Sequence, residues 1–205
     1  MKKTVSSLAL ILVMILTADL PHGLAAEIGE ETIVCITDET SSNNLGFEET
    51  SGTWNGSANA TLGIHYVNPD TGKSLARYSS GGAATATIRA QGLTPGRYRF
   101  YYFISGYAAD AATVNVEVMA KEGAAKTVMN LQDATKKRFY CVGEYNFDQE
   151  AVVNVSSEGQ FRFSAAKFEY MGETELSIRD YTLDTANQEI TGVPEGTTVE
   201  EFLNH

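Results

Sequence analysis

The sequence predicts an all-β protein: an antiparallel β-sandwich, jelly-roll-like, followed by the start of a second small module. Helical periodicity is almost absent between Glu27 and Met171. Short runs of period-2 alternation recur there instead, and clusters of Gly, Asn, Asp and Ser divide them.

Residues 1–26 read as a secretory signal peptide. Lys2 and Lys3 form a positive start, Leu8 to Leu16 an apolar run, and Gly23-Leu24-Ala25-Ala26 a small-residue cleavage region, with the cut after Ala25 or Ala26. The apolar run is shorter than the ~20 residues a membrane span needs. The reading is therefore export, to the medium or the cell surface, without membrane insertion.

Residues 27–172 carry the sandwich. Thr32 to Thr37 supplies an N-terminal strand. Asn43 to Ser80 is rich in Gly, Asn, Ser and Thr with little alternation, and reads as long ordered loops holding one or two short strands. Ala84, Ala86 and Ile88 then face one way, and Thr85, Thr87 and Arg89 the other. Gly92-Leu93-Thr94-Pro95-Gly96 is a turn, with Pro presetting φ and Gly free to take positive φ. In the next strand Tyr98, Phe100, Tyr102 and Ile104 alternate with Arg99, Tyr101 and Phe103, so if the first set points inward the second points out. Val114, Val116 and Val118 alternate with Asn115 and Glu117. Phe139 to Phe147, Ala151 to Val155 and Phe161 to Met171 complete the strands.

Residues 173–205 look like a second module cut short. Leu176 to Leu183 and Gln188 to Gly192 read as strands, and Thr197 with Glu200 forms a capping box at a helix start. So short a segment cannot bury a core of its own, so the expectation is further covalently linked domains. A short appendage packing on the sandwich is the other reading.

A domain of ~150 residues buries roughly 70% of its unfolded surface and needs no metal or disulfide for a core. The whole chain has 15 Lys and Arg against 26 Asp and Glu, a net charge of −11. An acidic surface argues against nucleic acid and against anionic lipid. Cys35 and Cys141 leave two readings open: a disulfide, which export permits, or two free thiols packing as small apolar groups.

Catalytic signatures are missing. After signal removal the histidines are His65 and His205, and His65 has no nucleophile motif beside it. No C-x-x-C, H-E-x-x-H or P-loop occurs, nor a D-x-D-x-D-G calcium loop. The expectation is no enzyme activity and no cofactor; a structural calcium held by loop carbonyls leaves no sequence trace and stays open. Aromatic placement stands out instead. Trp54, Tyr66, Tyr78 and Tyr107 lie in or beside loops, and Tyr101 and Phe103 face away from the core-facing set. Sugars stack their C–H faces on such rings, and Tyr and Trp add a polar handle. The candidate ligand-binding residues are Trp54, Tyr66, Tyr101 and Tyr107.

Several segments now follow one another in a familiar order: Ser51-Gly52-Thr53-Trp54, Gly63-Ile64-His65-Tyr66, Ala83-Ala84-Thr85-Ala86-Thr87-Ile88 and Leu93-Thr94-Pro95-Gly96-Arg97-Tyr98-Arg99-Phe100. Val114 to Val118 and Tyr140-Cys141-Val142-Gly143-Glu144-Tyr145-Asn146-Phe147 continue it. From about Glu31 to Met171 the chain resembles the golvesin/xanthan-lyase carbohydrate-binding-like domain. The resemblance implies a β-sandwich, accessory and non-catalytic, that binds polysaccharide beside linked domains of bacterial surface or secreted proteins. It carries over Trp54 and Tyr66 as anchor positions, for ligand or for structure. The chain departs from it at Phe139-Tyr140, where many relatives have Trp.

Two functions follow from different classes. A polysaccharide-binding module requires at least two of Trp54, Tyr66, Tyr101 and Tyr107 on one exposed face. A structural or protein-interaction spacer requires the same rings in the core.

Overall fold

A computed structural model describes residues 26–59, 61, 63–107, 113–131, 136–173, 182–184 and 189–191. The strands in chain order are β1 (Glu31–Cys35), β2 (Asn43–Asn44), β3 (Phe47–Ala58), β4 (Leu75–Gln91), β5 (Gly96–Ile104), β6 (Thr113–Ala120), β7 (Gly123–Asn130), β8 (Arg138–Phe147), β9 (Glu150–Ser157), β10 (Arg162–Phe163) and β11 (Ala165–Gly172), then β12 (Thr182–Asp184) and β13 (Glu189–Thr191). No helix occurs among the described residues. The fold is all-β, two antiparallel sheets packed face to face.

The smaller sheet runs β1-β11-β5-β8. The larger runs β2-β3-β4-β9-β6-β7, with β10 also paired to β4. Neighbours such as β4 and β9 are remote in sequence, so loop closure precedes most of the pairing. The alternation read from sequence sets the core: Ala84, Ala86, Ile88, Tyr98, Phe100, Tyr102, Ile104, Val114, Val116 and Val118 are all buried and pack together between the sheets. The core tyrosines are satisfied rather than merely enclosed. Tyr98 donates to the Thr94 carbonyl at 2.8 Å and Tyr102 to the Arg162 carbonyl at 2.7 Å.

Asn43 to Ser80 is more regular than its composition suggests. It holds the twelve residues of β3 and the start of β4. Alternation fails there because most of β3 from Glu48 to Ala58 is exposed or half-buried on both faces, and its register on β4 shifts at Glu49/Ser51 and Ser51/Thr53. Besides its ladder to β4 and the packing of Phe47 and Trp54, the strand carries a buried ion pair, in which Arg77 of β4 meets both carboxylate oxygens of Glu49 and donates to the Glu39 carbonyl. β7 was likewise invisible to alternation, because it is an edge strand with only Met129 buried.

In the turn before β5, Gly92 adopts φ +72°. Gly96 does not take positive φ. Its smallness is needed because a Cβ there would lie 2.5 Å from the Tyr170 ring.

The cysteines do not pair. Cys35 and Cys141 are both free, on β1 and β8, the opposite edges of the smaller sheet. Three interstrand steps of ~4.8 Å separate those edges by ~14 Å, twice the reach of a disulfide. The predicted signal peptide, residues 1–26, lies outside the described residues up to Ala25, as does the predicted Thr197–Glu200 helix start. Of the final segment, the backbone of β12 pairs antiparallel with β13.

Candidate functional site

The four candidate aromatics are placed by different elements. Trp54 is half-buried on β3, edge-on to Phe47 at 5.7 Å and to Phe161 at 5.0 Å. Its indole N–H is taken by the Ser51 carbonyl at 2.8 Å. Tyr107 is 43% exposed, and its ring covers the Arg162 guanidinium at 4.3 Å while Tyr78 lies 4.5 Å from the same group.

Tyr66 and Tyr101 do come together, on the outer face of the smaller sheet. Outward Phe103 of β5 is buried because Tyr66 and Phe139 lie over it, at 6.0 and 5.5 Å. Tyr66 and Phe139 also contact each other at 5.5 Å. Lys167 of β11 continues the row: its ammonium lies 4.4 Å from the Tyr101 ring centre and 5.6 Å from that of Phe139, and pairs with Glu31 at 2.5 Å. The Tyr101 hydroxyl donates to Glu169 at 2.6 Å. Burial and that carboxylate push its pKa up to about 12, and burial likewise raises Tyr66. Both phenols are therefore neutral donors. Phe139 was read in the sequence as the start of a strand and as the place where a Trp is missing, not as a site residue.

The outer face of the larger sheet is open. β4, β9, β6 and β7 form the floor of a groove of about 670 Å³. The strand register aligns its outward side chains into two rows. One is Thr85, Ser156, Asn115 and Val128; the other is Thr87, Asn154, Glu117 and Lys126. The second row is hydrogen-bonded from end to end. Thr87 donates to Asn154 at 3.0 Å, Asn154 to Glu117 at 3.5 Å, and Lys126 pairs with Glu117 at 3.2 Å. Such a surface offers hydroxyls, amides and one neutralised ion pair. Exposed Val128 stands at the end of the first row.

One arrangement resembles a fragment of catalytic machinery. His65 Nε2 lies 3.0 Å from the Ser57 hydroxyl. The ring is 1% exposed, and burial, with the positive Arg162 nearby, lowers its pKa to about 4. It is thus the neutral imidazole at ordinary pH, but buried out of reach of a substrate. Its Nδ1 has no hydrogen-bond partner among the described residues, so nothing there orients it as a base. No three His, Cys, Asp or Glu side chains gather among the described residues.

Comparison with solved structures finds this fold within a xanthan lyase from Paenibacillus. The TM-score is 0.54 at 19% identity, over 69% of this chain and 13% of that one. Two carbohydrate-binding modules align more loosely. One is a CBM61 in complex with β-1,4-galactotriose, with TM-score 0.37 and 12% identity over 61% of this chain and 83% of that one. The other is the CBM36-1 domain of a multidomain xylanase from the hindgut metagenome of Trinervitermes trinervoides, with TM-score 0.38 and 10% identity over 70% and 99%. No protein-family model matches the sequence, and a search of curated proteins finds no match. The class defined by fold and site is a β-sandwich with an open polar groove on its larger sheet. The particular likeness is to a small part of a much longer lyase.

Proposed function

We propose that this chain is a non-catalytic polysaccharide-binding module of a secreted or cell-surface bacterial protein, exported by residues 1–26 and linked to further domains. The observation that carries this reading is the groove: an open surface of polar side chains set on a rigid sheet suits a ligand rich in hydroxyls. The sequence resemblance supports it independently. Weak affinity suffices for such a module, because linkage to a second domain raises the effective concentration near the polymer.

The spacer reading draws on one observation, the packing of Trp54 onto Phe47 and Phe161. Affinity electrophoresis of the protein through a panel of plant and bacterial polysaccharides separates the two. Retardation by at least one polymer is the expected result; free migration through every gel leaves the spacer.

A further inference from the structure

We infer that the groove on the larger sheet holds a single neutral glycan chain laid across the strands, roughly one sugar ring per strand, and reads it by hydroxyl hydrogen bonds rather than by ring stacking. This rests on the polysaccharide-binding reading and goes further, to the class and pose of the ligand.

The direction follows from the register. Each polar row crosses β4, β9, β6 and β7 at right angles to the chain, so its side chains recur every ~4.8 Å, the spacing of strands. That step is close to the length of one sugar ring. The two rows lie two residues apart along each strand, ~6.7 Å, wide enough for one ring between them. Thr85 on β4, Ser156 and Asn154 on β9, and Asn115 and Glu117 on β6 then flank three successive rings, while Thr87, itself buried, fixes Asn154 by its hydrogen bond.

The charge follows from the lining. Among the described residues Glu117 and Lys126 are the only ionic side chains lining the groove, and they pair with each other at 3.2 Å. The field inside is near neutral, on a protein whose net charge is −11, so a polyanionic chain is repelled before it arrives. The mode of contact follows from the absence of rings: among the described residues no aromatic side chain lines the groove. A flat crystalline surface would need such rings in a plane; a single soluble chain sinking its hydroxyls between two polar rows does not.

The test compares both faces of one protein. Gels containing soluble neutral β-1,4-linked glucan, xylan, mannan or galactan are run beside gels containing polygalacturonate. The variants are Thr87→Val with Asn154→Leu, which removes both partners of the Thr87–Asn154 bond and leaves Glu117 its pairing with Lys126, Asn115→Ala at an exposed groove position, and Tyr101→Ala on the opposite face. Thermal unfolding checks the fold of each. The expected result is retardation by a neutral polymer, reduced at least tenfold by both groove variants and less than twofold by Tyr101→Ala. Oligosaccharides of that polymer should gain affinity up to about three units, one for each of β4, β9 and β6, and little beyond. Loss of retardation in Tyr101→Ala with the groove variants unaffected overturns the groove but keeps the polysaccharide module. Retardation by polygalacturonate alone overturns the neutral ligand. No retardation of the unaltered protein by any polymer sinks the module reading itself.

Discussion

On the smaller sheet the outward side chains close over one another, whereas on the larger sheet they stand in two open rows. Tyr66 and Phe139 bury Phe103, and Lys167 lies against Tyr101, so each ring there already has a partner. Of the polar side chains there, Thr85 bonds to Thr50 and Ser51 of β3, Thr87, Asn154 and Glu117 bond along their row, and the space above the groove stays free. The difference teaches that aromatic content alone does not mark a ligand surface. Rings on a sheet's outer face attract each other and whatever cation is near, building a second small core. Short polar side chains cannot do this, and the groove they floor stays available.

If the comparison is right, substitutions on the closed face cost stability and those on the open face cost binding. The largest effect is expected where the open sheet gets its rigidity without cover. Glu49→Ala strands the buried Arg77 guanidinium and should destabilise the fold by ~3–5 kcal/mol in urea unfolding; a loss under 1 kcal/mol would mean β3 is held some other way. Next comes the buried imidazole beneath β3. The folded pKa of His65 is about 4, below the ordinary 6.5, so the unfolded chain takes up the proton first as pH falls. Its contribution is complete above pH 6.5, declines between 6.5 and 4, and is gone below, a loss of up to ~3 kcal/mol. His65→Gln should flatten the stability profile across that window; an unchanged profile would place the acid sensitivity elsewhere.

On the closed face, Tyr66→Ala uncovers Phe103 and should cost ~1–2 kcal/mol in chemical denaturation with polysaccharide retardation intact. The reverse outcome, full stability with lost retardation, would make the closed face the ligand surface. The smallest stability change is expected in the groove: Asn115→Ala, exposed and on the floor, should shift the unfolding free energy by less than ~0.5 kcal/mol while weakening retardation.

Much of the fold was legible strand by strand. The alternation in β5 and β6 and in the second half of β4 separated inward from outward side chains, because one face of each of those strands is wholly buried and a period of two leaves no freedom in which face that is, but outward Phe103 and Thr87 are buried too. It failed for β3, where Phe47 and Trp54 pack on the core but the residues between them do not alternate, and for β7, exposed at the sheet edge. Of the candidate site, the sequence offered rings, and the structure brings Tyr66 and Tyr101 to one face while Trp54 and Tyr107 go elsewhere.

The groove shows where the division falls. Thr85 and Thr87, Asn115 and Glu117 were already visible as the polar half of each alternation, since side-chain direction along a strand is local geometry. That they share a floor with Asn154 and Ser156 was not visible. Nothing local to β4 says that its neighbour is β9, or that β9 is followed by β6. Strand order and register are set by which apolar faces pack best once the chain has collapsed, across separations of tens of residues. The sequence by itself determined which side chains face out; only the tertiary structure decided which of them stand together.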